Sequence, residues 1–83
     1  MPLVAVIDGV KIQFFPNEQP PPHFHAEFAE YRALIRIDTM SLWKGNLPRN
    51  KLRLVLDWAK LRQSLLLATW NAAVGNEKIG RID

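Results

Sequence analysis

The residues best suited to chemistry are His23 and His25, set two apart, with Glu27 two further on. They are the two histidines of the chain, and they follow three prolines in the stretch "PPPHFHAEF", Pro20 to Phe28. Imidazole titrates near neutral pH, so it can serve as acid, base or metal ligand, and a nearby carboxylate can complete either kind of set. Three readings of this cluster follow from residue types alone.

The first is a His-x-His metal site. A strand rises about 3.3 Å per residue, which puts His23 and Glu27 about 13 Å apart along the backbone. Glu27 therefore joins His25 more easily than it joins both histidines, and a third ligand has to come from Glu18, Asp38 or elsewhere. Leu34 and Arg36, expected on the facing strand, are not ligands, and a guanidinium repels a cation. No metal and no other cofactor is assigned on this basis.

The second reading is metal-independent cleavage of RNA through the 2′-hydroxyl. That reaction needs a base, an acid and cations that hold charge on the phosphate. His23, His25 and Glu27 supply the catalytic groups, and Arg32 and Arg36 supply forked donors for phosphate. A second set of phosphate-binding candidates, Arg49 and Arg53, falls with Lys60 on one stripe of a helix, with Asp57 among them. The third reading is structural: one histidine caps the polyproline loop through its carbonyls, the other lies half exposed beside Leu34, and Glu27 makes an ordinary ion pair with Arg32.

The elements that must position these residues are legible from periodicity. "LVAVIDGVKIQFF" is two alternating runs around Asp8-Gly9, the strongest short hairpin signal. A two-residue turn makes Ile7 face Val10, Ala5 face Ile12 and Leu3 face Phe14, with Val4, Val6, Lys11 and Gln13 on the other side. "PNEQPPP" lacks the donors of a strand and is a stiff loop. "HFHAEFAEYRALIRID" forms a second hairpin about Ala29-Glu30. Its apolar face is Phe24, Ala26, Phe28, Tyr31, Ala33, Ile35 and Ile37. The opposite face carries His23, His25 and Glu27 against Arg36, Leu34 and Arg32. The histidines share a face because strand geometry puts them there.

A short piece at 42–44 adds a fifth strand. From Pro48 to Val74 the apolar residues recur at helical spacing, with Gln63-Ser64 as a break and Ser64 as a new cap, so one or two helices are expected on one face of the sheet. The expected fold is α+β: an antiparallel sheet of four to five strands, followed by C-terminal helices. It forms a single domain over 1–83, with a β-rich half at 1–45, a helical half at 46–76 and a tail at 77–83.

Composition sets the outer limits. With 83 residues there is room for one small core, and 48% hydrophobic with 23% charged residues is ordinary for a folded domain. The absence of cysteine excludes disulfides and thiolate metal sites. No run approaches the roughly 18 apolar residues of a membrane span and no secretion signal opens the chain, so a cytoplasmic location without membrane contact is expected. A net charge of +3 favours acidic partners only slightly.

"PPHFHAEFAEYRALIRI", followed by "GNLPRNKLRLVLDWAKLRQSLL", resembles the bacterial proteins grouped as domain of unknown function 4160. The PPHFHA element, the hairpin turn after it and the Leu-Pro lead into a Trp-containing helix carry the likeness. Phe28-Ala29 departs from it, standing where the family tends to have Tyr-Gly, so the turn here lacks the residue that takes positive φ freely. Members are often encoded beside another small protein in an arrangement similar to toxin–antitoxin pairs. The resemblance therefore implies action by association with a small protein partner encoded nearby, with RNA as a further target. It names no reaction and no oligomeric state.

Overall fold

The computed structural model describes residues 3–83. Five strands, β1 (Leu3–Ile7), β2 (Val10–Gln13), β3 (His23–Phe28), β4 (Tyr31–Arg36) and β5 (Ser41–Gly45), precede two helices, α1 (Arg49–Lys60) and α2 (Gln63–Val74). The strands lie in sequence order in one antiparallel sheet, a meander in which each strand pairs with the next. The α+β architecture read from the sequence is the observed one.

The first turn forms because Asp8 and Gly9 both take positive φ, +49° and +83°, as a two-residue hairpin turn of matching twist requires. Ile7 faces Val10 and Ala5 faces Ile12, as the alternation predicts, but Leu3 pairs with Gln13 rather than Phe14. A bulge between Leu3 and Ala5 shifts the register, and it turns Val4 inward. Val4, expected on the outer face, is consequently buried beside Ala5. In the second hairpin the whole register is as read, from His23 opposite Arg36 to Phe28 opposite Tyr31. Its turn has no glycine, and Ala29 takes the positive φ, +52°.

The apolar residues of the sheet, Val10, Ile12, Phe14, Phe24, Ala26, Ala33, Ile35 and Ile37, pack with Val55 and Ala59 of α1 and Leu66, Trp70 and Ala73 of α2. Burying such side chains contributes about 1.5–3 kcal/mol each. Polar contacts fix where the helices sit. Lys51 of α1 donates to the Asp8 carbonyl at 2.9 Å and to its carboxylate at 2.8 Å, over the ring of Phe28. Gln63, at the start of α2, donates its side-chain amide to the Ile37 carbonyl at 2.7 Å.

The helices are separate, and the break lies earlier than Gln63-Ser64. Pro48 precedes α1 and its carbonyl accepts the Leu52 amide, while Arg62 stands at the N-cap of α2 without a side-chain cap. Ser64 therefore does not cap. Arg62 instead turns its guanidinium back, stacking on Trp58 and donating to the Trp58 carbonyl at 3.0 Å, which satisfies an end of α1 that the break leaves open.

After α2 the chain is an ordered arm. The Ile82 amide donates to the Val4 carbonyl at 2.8 Å, and the Val6 amide donates to the Asp83 carboxylate at 3.1 Å. The arm thus covers part of the outer edge of β1.

Candidate functional site

The polar side of the β3–β4 hairpin carries the candidate residues, and its position follows from the sheet. β3 lies third of five, with β2 and β4 on either side, so alternate residues of β3 point away from the core at the middle of the sheet. His25 and Glu27 are those residues, while His23, at the start of the strand, is closed over by Trp43 and Trp70.

At one end of this face the connection from β2 to β3 folds back over the strand. Because β2 and β3 are antiparallel neighbours, with Gln13 opposite His25, the loop between them must return to where it started. Glu18 sits midway along that loop and reaches both histidines with one oxygen. Its Oε1 makes a short contact with His25 Nε2 and lies 3.3 Å from His23 Nε2. His23 is 4% exposed. Its Nδ1 donates to the Pro21 carbonyl at 2.8 Å, since a carbonyl only accepts. Its ring packs edge-on against Trp43 of β5, with ring centres 5.2 Å apart, and lies tilted against Trp70 of α2 at 4.9 Å. His25 is more open and meets Phe15 edge-on, with ring centres 4.6 Å apart.

Glu27 is not part of this cluster. It pairs with Arg32 across the hairpin at 3.1 Å. Arg36, opposite His23, is held by Asp38 through two hydrogen bonds, Nε to Oδ1 at 2.9 Å and Nη2 to Oδ2 at 2.5 Å. The Arg36 side-chain hydrogen bond holds the Asp38 carboxyl below the usual carboxylate range, and the same bond raises the already high pKa of Arg36. Arg36 is therefore committed within the chain. Arg49 and Arg53 line a separate shallow hollow on α1 with Leu52, Leu56, Asp57 and Lys60.

At the other end, the same face opens into a groove of about 270 Å³. His25, Glu27, Arg32 and Lys44 stand around it over Phe15 and Leu34, with Gln13 from β2 and Gly45 from β5 at its sides. Gly45 is required there. Its φ is +75°, and a Cβ on it would fall 2.1 Å from the Arg32 carbonyl oxygen.

The family described as a domain of unknown function, DUF4160, matches residues 9–71. The chain belongs to this family. The matched span runs from the first hairpin turn through most of α2, so it includes Glu18, both histidines and every residue of the groove. No curated protein and no solved structure matches the chain. Among the described residues no helix is long and apolar enough to cross a membrane.

Three of the residues that build this face were not singled out by spacing. Gln13, Phe15 and Lys44 arrive from neighbouring strands or their ends, and only the strand order brings them to His25. Glu18, one of the sources expected for a third ligand, is the one that arrives: a loop joining adjacent antiparallel strands must double back, so its middle residues return to the mouth of the next strand, which begins with His23.

Proposed function

We propose that this protein acts by association, as one component of a toxin–antitoxin-like pair in a bacterial cytoplasm, with the groove on the polar sheet face receiving an acidic segment of a small protein partner encoded nearby. The observation that carries this reading is the groove itself, an open concavity with an apolar floor on the face opposite the apolar core residues. Its charge favours an acidic occupant: Arg32, 82% exposed, Lys44 and the neighbouring Lys11 outnumber the single carboxylate of Glu27, on a chain of net charge +3.

The alternative, a metal-independent ribonuclease with His23 and His25 as its acid and base, is less well supported by the geometry. His23 is buried beneath Trp43 and Trp70, with Nδ1 on the Pro21 carbonyl and Nε2 turned to Glu18, so its ring does not face the groove. A substrate phosphate would need to come within hydrogen-bond reach of that ring.

Co-expression of the full chain with the product of the adjacent reading frame tests the association. A complex of fixed stoichiometry by native mass spectrometry, weakened at least tenfold by the double variant R32E/K44E, is the expected result. No complex, or one indifferent to the charge reversal, overturns it. Tight binding of a short RNA with a steep salt dependence, in place of the protein, would move the assignment to nucleic acid.

A further inference from the structure

Independently of the groove, the Glu18–His23–His25 cluster has a proton arrangement that an apoprotein leaves incomplete. The His23 Nδ1 proton is spoken for by the Pro21 carbonyl, so the neutral ring presents a bare lone pair at Nε2. That lone pair points at a carboxylate oxygen 3.3 Å away, which also can only accept. His25 Nε2 converges on the same oxygen. Two acceptors face each other across the width of a hydrogen bond, and something positive belongs between them: a proton or a cation.

We propose that Glu18, His23 and His25 form a mononuclear site for a divalent transition metal of the zinc class. Four features support a metal over a proton. The ligand set, two imidazole nitrogens and one carboxylate oxygen, is a recognised one for zinc and its neighbours, and it leaves at least one coordination position that the three side chains do not fill. The three donor atoms lie within 4.8 Å of one another. Ligand bonds of about 2.0–2.1 Å in a tetrahedral arrangement set donors about 3.3 Å apart, the observed His23–Glu18 separation. The Nδ1–H to carbonyl bond at His23 is the outer contact that metal-bound histidines make to fix their tautomer and orientation.

The surroundings agree. Trp43 and Trp70 wall the buried side and keep water from His23, while Glu18 and His25, 26% and 29% exposed, give an ion a way in. Arg36, the cation opposite His23, is neutralised by its two bonds to Asp38 and does not oppose a bound ion with its full charge. An ion held by Glu18 and both histidines would fasten the proline-rich loop to β3.

The test uses the untagged full chain, stripped with chelator and titrated with zinc chloride by calorimetry and with cobalt chloride by visible absorption. Expected are one equivalent of zinc per chain with a dissociation constant below about 1 μM, and cobalt bands of a four- or five-coordinate ion. E18A and H25A, both at partly exposed positions, each weaken zinc at least tenfold, whereas E27Q, whose carboxylate lies outside the cluster, binds as the parent does. Nitrogen NMR of the parent chain keeps the result independent of any variant's folding. Zinc shifts Nε2 of both histidines, and the His23 Nδ1 proton persists. Failure to take up stoichiometric zinc, unmoved imidazole nitrogens, or equal binding by H25A and E27Q overturns the site.

Discussion

The two ends of the polar sheet face are built on opposite terms. At the His23 end the polar atoms face groups of the same chain: Nδ1 the Pro21 carbonyl and Nε2 the Glu18 carboxylate, with the ring between two tryptophans. At the Arg32 end the side chains stand in solvent over a groove, and the one ion pair, Glu27–Arg32, has a guanidinium that is 82% exposed. Both ends come from the same two strands in unbroken register. What differs is what lies above them. A proline-rich loop folds over the first, and nothing in the described chain folds over the second. Substitutions at the closed end should therefore act on stability and on the proposed metal, and those at the open end on partner binding.

Gly45→Ala is the substitution most able to break this rule, because it lies at the open end yet touches backbone. A methyl group 2.1 Å from the Arg32 carbonyl, on a residue at positive φ, should cost about 3 kcal/mol or more, read as a lowered urea midpoint. A loss under 1 kcal/mol would show that β5 can move away from β4. His23→Ala comes next. Removing the buried ring leaves a cavity between Trp43 and Trp70 and frees the Pro21 carbonyl, at an expected cost of about 2–3 kcal/mol. An unchanged midpoint would mean that the loop, not the ring, closes that end.

Ala29→Gly should stabilise the hairpin tip by about 0.5–1 kcal/mol, since alanine is held at φ +52° and glycine takes that conformation without a side-chain penalty. Stability no greater than the parent's would argue that the turn relaxes around alanine. Arg32→Ala should cost less than about 1 kcal/mol while weakening partner binding, the signature of an exposed pair. Comparable losses at Arg32 and His23 would erase the distinction between the ends.

A last, small effect lies on the arm. The Arg81 side chain, then the Val6 amide, hold the Asp83 carboxyl down to about 2 from its ordinary 3.8. A depressed carboxyl contributes its stability above the unfolded value and loses it as pH falls through the folded one. The Val6 and Ile82 amides should therefore lose protection between about pH 4 and pH 2. Protection that stays flat through that window would separate the arm's docking from its carboxylate.

Much of the fold was legible because alternation and helical spacing are local: the β3–β4 register, the Asp8-Gly9 turn and the helical stretch all follow from neighbours in sequence. The bulge at Leu3–Ala5 was not, since a single extra residue leaves the hydrophobic pattern readable in either register. Ser64 looked like a cap by residue type, yet the competing contact of Arg62 with Trp58 decides the break. The site was half legible for a similar reason. Glu27 shares a strand with the histidines, whereas Glu18 reaches them only once the loop has closed, and closure depends on which strands become neighbours.

The arm on β1 has a consequence for assembly. A sheet propagates end to end only if both of its outer strands are free to pair. Here residues 82–83 occupy hydrogen-bonding groups of β1, while β5 remains the outer strand on the far side. The two edges of the sheet are thus unequal: the arm takes the Val4 carbonyl and the Val6 amide on one side, and among the described residues β5 is the edge left more open to an added strand.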